Sequence, residues 1–131
     1  MDNIKIYQKT ILDHSKKPEN YKILKPCTHH AKANNPLCGD KVEIFTNISS
    51  DNIAKNITFQ GAGCAISIAS ASILTKVLIN KKLSDSNIIL VNFINMVENK
   101  DFNFDLVDER EKHLLMTFSE IKKFPMRLKC A

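Results

Sequence analysis

An α+β fold, a small antiparallel sheet of three strands with helices packed on one face, is what this 131-residue sequence predicts. Lys41 to Asn47 alternates Val42 and Ile44 with charged neighbours, and Ile53 to Gln60 brings Ile57 and Phe59 onto one side in the same way. A repeat of two is that of a strand with one buried face. Before and after this pair, apolar residues recur every three or four positions, the repeat of a helix that buries one stripe. Strands followed by a run of helices pack as a sheet with helices laid over it.

In chain order, Ile4, Tyr7, Ile11 and Leu12 fall at helical spacing behind Asp2 or Asn3 as cap, so a first helix runs to about Lys16 and Pro18 stops it. Glu19 to Leu37 reads as a long connection holding Pro26, His29, His30 and Pro36, and the third strand is placed in it on a weak signal. Ser49, Ser50, Asp51 and Asn52 turn the chain between the two clear strands, which form an antiparallel hairpin. Gly61, Ala62 and Gly63 end the second strand, and from Cys64 the residues Ala65, Ile66, Ile68, Ala69, Ile73, Leu74, Val77 and Leu78 predict a helix to about Asn80. Ser84 is expected to cap a helix through Asn99 with Leu90, Phe93 and Val97 on its stripe. Another helix is expected over Asp105 to Glu120, broken by Phe124 and Pro125. No repeat or low-complexity segment interrupts this plan, and one domain over residues 1–131 is expected.

A composition of 44% hydrophobic and 25% charged residues excludes disordered and fibrous classes. The longest apolar runs are broken by Ser, Asn and Lys, and Met1 to Lys9 carries charges with no apolar core behind them. No membrane span and no secretory leader are therefore expected, and the cytoplasm is the expected location. The formal charge of +5 comes from scattered pairs such as Lys16 and Lys17, Lys81 and Lys82, and Lys122 and Lys123. Without interleaved aromatics these read as a solvated basic face, suited to an acidic partner protein and not to nucleic acid.

The chemistry is carried by cysteine, of which there are four. In a reducing compartment cysteines serve metal binding, reactivity or burial as small apolar side chains. Cys38 and Asp40 flank Gly39, and an extended backbone would point a thiol and a carboxylate to the same side, as two corners of a tetrahedral site for zinc or iron. Cys64 is expected at a helix N-terminus, where backbone amides favour a thiolate. Cys130, behind Pro125, is a candidate for the remaining ligand of a three-sulfur, one-oxygen set. On spacing alone, with no paired C-x-x-C, burial of these cysteines stands as an equal reading.

The remaining candidates are weaker. His29 and His30 read as an exposed pair without a fixed scaffold, Cys27 as a spare thiol, and His14 and His113 as packing or surface residues. Ser67, Ser70 and Ser72 share a helix with alanines, which suits close packing; no base is placed beside them for nucleophilic catalysis. Arg127 and Lys129 either add positive charge beside the last cysteine or are ordinary surface cations.

Three separate blocks carry a resemblance: Asn35-Pro36-Leu37-Cys38-Gly39-Asp40, Phe59-Gln60-Gly61-Ala62-Gly63-Cys64-Ala65-Ile66-Ser67, and Phe124-Pro125-Met126-Arg127-Leu128-Lys129-Cys130-Ala131. With them the chain resembles the IscU/NifU N-terminal family of iron-sulfur cluster assembly proteins, and within it the SufU branch. The opening helix, from Ile6-Tyr7-Gln8 to Asp13-His14 with Pro18 beyond, is similar too. The 65 residues between Cys64 and Cys130, Lys129 where IscU proteins have histidine, and the absence of a Leu-Pro-Pro-Val-Lys motif place it nearer SufU.

The resemblance implies Cys38 as acceptor of persulfide sulfur, Asp40 as a weaker oxygen ligand, and Cys64 and Cys130 as anchoring thiolates. It implies zinc as the bound metal, with iron or a transient iron-sulfur cluster as the alternative of a scaffold role. The implied partners are a pyridoxal-phosphate cysteine desulfurase of the SufS type and, downstream, a scaffold or apo iron-sulfur proteins.

Overall fold

A computed structural model describes residues 3–36 and 39–123. Helix α1 spans Asn3–Lys16, strands β1, β2 and β3 span His29–Asn35, Asp40–Ile48 and Ala54–Ala62, and helices α2, α3 and α4 span Ala65–Leu78, Leu83–Val97 and Glu109–Met116. A 3-10 helix over Thr117–Lys123 follows directly on α4. The sheet is antiparallel in the order β1-β2-β3, the predicted class. Val42, Ile44 and Ile57 face α2, so the apolar alternation of β2 and β3 is satisfied against the helical layer. Phe59, Ile73, Leu115, Phe118 and Ile121 are completely buried in the core, each contributing about 1.5–3 kcal/mol by leaving water.

The predicted long connection is more structured than its composition suggested. After Pro18 the chain hooks onto the free edge of β3, where Phe59 N–H donates to Asn20 C=O (3.0 Å) and Lys22 N–H donates to Phe59 C=O (2.9 Å). It then forms β1, which runs in register with β2 from His29 opposite Thr46 to Asn35 opposite Asp40. An edge strand exposed along nearly its whole length needs no apolar alternation, so His-His-Ala-Lys-Ala-Asn-Asn gave little signal.

Helix boundaries also moved. Ser84 does not cap α3: the N-cap is Lys82, without a side-chain bond, and the N–H of Leu83 is instead taken by the carbonyl of Asn52 in the β2–β3 turn (2.8 Å). Helix α4 begins only after Asp108, not at Asp105, because Asp108 and Glu111 form a reciprocal capping box: Glu111 N–H donates to Asp108 Oδ1 (2.8 Å) and Asp108 N–H donates to Glu111 Oε1 (3.1 Å). The second clear strand continues through Gly61 and Ala62 instead of ending there.

Among the described residues four non-glycine residues adopt positive φ, and all are asparagines: Asn20, Asn52, Asn80 and Asn99. Asparagine tolerates this region better than other side chains, and Asn80 and Asn99 follow the ends of α2 and α3. The three glycines of the chain are thereby left for another place: Gly39, Gly61 and Gly63 surround one corner of the sheet, where β2 begins and β3 hands over to α2.

Candidate metal centre

Asp40 is the first residue of β2 and is 5% exposed. Cys64 is the N-cap of α2, in extended conformation, and provides no side-chain cap of its own. The two meet: the backbone N–H of Cys64 donates to Asp40 Oδ1 at 2.9 Å. Asp40 therefore caps α2 from the neighbouring strand, satisfying one of the helix's unpaired amides. Its second oxygen, Oδ2, is buried and has no hydrogen-bond partner among the described residues. A buried oxygen left bare costs about 1–3 kcal/mol unless something else engages it.

The half-buried thiol of Cys64 belongs to the residue whose amide Asp40 holds, and Cys64 stands unbridged at the helix N-terminus. An unengaged carboxyl oxygen and a thiol at a helix N-terminus are the donor types that zinc and iron accept, so these residues fit a metal of that class. Asp40 and Cys64, 24 positions apart, are the predicted site residues that the fold brings together. Cys38 and Cys130, the other two, lie outside the described residues. Among the described residues no group of three or more His, Cys, Asp or Glu side chains is placed to hold a metal.

The extended geometry expected at Cys38-Gly39-Asp40 does not hold. Gly39 has φ +70°, in the left-handed region, so the chain turns there and β2 starts after the turn. Beyond the turn, the close packing of Asp40 on α2 is open to a cavity of about 410 Å³ between sheet and helices, whose lining includes Asp40, Ser67 and Ser70 besides apolar side chains.

One contributor was not singled out from the sequence. Tyr21, in the segment hooked onto β3, donates its hydroxyl to the carbonyl of Gly61 (2.6 Å), and Gly61 N–H points back to the same oxygen (3.3 Å). Its ring stands edge-on to Phe59, 5.1 Å between centres. This clamp fixes the backbone just before Gly63 and Cys64; an aromatic residue in a polar connection was the one available hint.

The other sequence candidates have structural partners. His30 is not loose: it is bonded to Glu43 and stacked on Phe45, because β1 supplies the scaffold that the sequence did not reveal. Hydrogen bonds from Gln60 above all, and then from His30, with the charge of Lys32, hold the Glu43 carboxyl below its ordinary range against the opposing effect of burial. The expectation that no base stands beside the α2 serines is also corrected: His14 Nδ1 lies 2.7 Å from Ser72 Oγ. Ser72 is completely buried and its oxygen already accepts the N–H of Glu19 (2.8 Å), so this pair is closed to a substrate and ties α1 to α2. Cys27 is a half-buried free thiol. No helix of the described residues is long and apolar enough to cross a membrane.

Known proteins are similar to this chain over almost its full length. The zinc-dependent sulfurtransferase SufU of Bacillus subtilis (strain 168) is 33% identical over 126 residues, covering 96% of this chain and 82% of that protein. The iron-sulfur cluster assembly scaffold protein IscU of Streptococcus pyogenes serotype M1 is 32% identical, covering 96% and 76%. Among solved structures, the SUF-system scaffold protein of Fervidobacterium islandicum AW-1, described as putative in that role, superposes with a TM-score of 0.84 at 29% identity, covering 96% of this chain and 88% of that one. Matched over residues 6–123, a span that includes Asp40 and Cys64, the chain belongs to the family of NifU-like N-terminal domains.

Proposed function

We propose that this chain is a cytoplasmic iron-sulfur cluster assembly protein that binds zinc and accepts persulfide sulfur from a cysteine desulfurase, with residues 1–131 acting as one domain. The observation that carries it is the pairing of Asp40 with the backbone of Cys64, which leaves a buried carboxyl oxygen unengaged on the residue that caps the helix Cys64 begins. Family membership and the similarity to the B. subtilis sulfurtransferase support the same role. Asp40, Cys64, Cys38 and Cys130 would hold the metal. Zinc at such a site keeps thiols deprotonated at neutral pH.

The residues of this chain then have distinct work. Cys38, as thiolate, attacks the terminal sulfur of the desulfurase persulfide; a new S–S bond forms on Cys38, and the electron pair of the broken bond leaves on the desulfurase cysteine. Asp40, an oxygen donor among sulfurs, holds the metal more weakly and leaves the site exchangeable. The N-terminus of α2 favours a thiolate at Cys64. The basic surface steers the chain to an acidic face of its partner. Downstream, the sulfur passes to a scaffold or to apo iron-sulfur proteins.

A second reading, a scaffold on which a cluster is built, is supported by the similarity to proteins named IscU from S. pyogenes and Thermotoga maritima. Incubation with a desulfurase and cysteine, followed by mass spectrometry, separates the two. A sulfur adduct on Cys38 with one zinc per chain is the expected result. No adduct, together with an iron-sulfur chromophore formed on anaerobic reconstitution and handed to an apo-ferredoxin, would replace the first reading with the second.

A further inference from the structure

The structure assigns a positioning role to Gly63: lacking a side chain there, the chain lets Asp40 close onto the Cys64 amide with one oxygen and hold the other bare for metal. This rests on the reading of Asp40 as a metal ligand. Gly63 has no need of glycine's backbone freedom, since Gly39 is the one glycine at positive φ among the described residues. What glycine provides at position 63 is room. A Cβ placed there would overlap Asp40 Oδ1 and lie 3.1 Å from Asp40 Cγ and 3.2 Å from Asp40 Cα, so all three nearest atoms belong to Asp40.

The atom such a methyl would displace is the one that accepts the Cys64 N–H at 2.9 Å. A carboxylate can swing away about its own side-chain bonds at small cost, whereas a backbone cannot. Gly61 shows the contrast two residues earlier: a Cβ there would overlap the carbonyl oxygen of Lys41 in β2 and sit 3.0 Å from its carbon. Gly61 therefore protects the sheet, and Gly63 protects the orientation of one side chain. Rotation of the Asp40 carboxyl would give up the cap on α2 and turn Oδ2 out of the place where it now stands bare. Groups that orient a ligand without touching the metal typically change affinity by about tenfold to a hundredfold.

The test is a double-mutant cycle on the full chain with Gly63→Ala, Asp40→Ala and the two combined. Zinc affinity is read by chelator competition, the ligand field by the visible spectrum of bound Co2+, and the fold by thermal melting of the metal-free protein. Gly63→Ala is expected to weaken zinc by about tenfold to a hundredfold and to alter the Co2+ spectrum, with the metal-free Tm within about 4 °C of wild type. In the Asp40→Ala background the same glycine substitution should cost far less zinc affinity, because the oxygen it overlaps is gone and only the 3.2 Å approach to the Cα of residue 40 is left. Equal losses in both backgrounds, unchanged zinc binding, or loss of the metal-free fold in Gly63→Ala would each overturn the assignment. If Asp40→Ala itself binds zinc like wild type, the reading of Asp40 as a ligand fails; if Asp40→Ala loses zinc and Gly63→Ala does not, only the role of Gly63 fails.

Discussion

Helix α2 carries buried polar groups at two places that are finished very differently. In its middle, Ser72 and Thr75 are buried and fully engaged: Ser72 meets His14 and the N–H of Glu19, while Thr75 donates to the Ser72 carbonyl (2.8 Å) and accepts from Asn20 (3.3 Å). At its N-terminus the cap comes from another element, Asp40, and one oxygen of that cap is left with nothing to bind among the described residues. Polar groups buried with partners tie α1 and the segment after it to the helix and serve stability. A polar group buried without one is the kind of exception that a ligand explains. The same helix is thus satisfied in its middle and left with an open oxygen at its N-terminal end.

That contrast can be broken from either side. The largest effect is expected at the N-terminal end, if Asp40 is the ligand proposed above: Asp40→Asn keeps an oxygen to accept the Cys64 N–H but removes the anionic donor. Zinc affinity should fall by about a hundredfold in chelator competition, with the metal-free Tm held within about 3 °C. Next comes Gly61→Ala, which sets a methyl against the backbone of β2 and should cost about 2.5 kcal/mol in urea denaturation. A Gly61→Ala protein as stable as wild type would show that the β2–β3 pairing gives way there. In the structural middle, Ser72→Ala strands the Glu19 N–H and His14 Nδ1, and should cost about 1.5 kcal/mol in the same measurement while leaving zinc affinity unchanged.

The sequence made some of this visible and hid the rest for identifiable reasons. The β2–β3 hairpin and α2 were legible because each buries one face, and burial forces a period on the apolar residues. Cys64 was legible as a helix-terminal thiol because a strand, two glycines and an apolar run bracket it. Strand β1 was only faintly legible, as a weakly signalled strand within the long connection, since an exposed edge imposes no pattern, and His30 was misjudged along with it. The start of α4 was readable in Asp108-x-x-Glu111, whose reciprocal cap outweighs the apolar period that extends back to Leu106. Asp40 as the cap of α2, Tyr21 as the clamp on Gly61, and His14 as the partner of Ser72 join residues 24, 40 and 58 positions apart. Contacts at such separations are products of the tertiary fold, which no local period encodes.

The smallest expected effect probes the His14–Ser72 tie through pH. Burial above all, and then the charge of Lys76, hold the His14 imidazole below its ordinary value of 6.5, against the opposing pull of Glu19 and Asp13. The unfolded chain therefore takes up a proton at His14 more readily than the folded one in the window just below pH 6.5. The contribution of the neutral ring to stability is complete above that pH and is lost as pH falls below it, levelling off under the depressed folded value. The geometry agrees in sign: with Ser72 already accepting from Glu19, the arrangement suits a neutral Nδ1 that accepts the Ser72 hydroxyl proton, which a protonated ring cannot do. Urea melts at pH 7.5 and 5.5 should show wild type losing more stability than His14→Asn over that interval, since the other histidines and every carboxylate are common to both proteins. Parallel losses would place the pH dependence elsewhere and reduce the α1–α2 tie to packing alone.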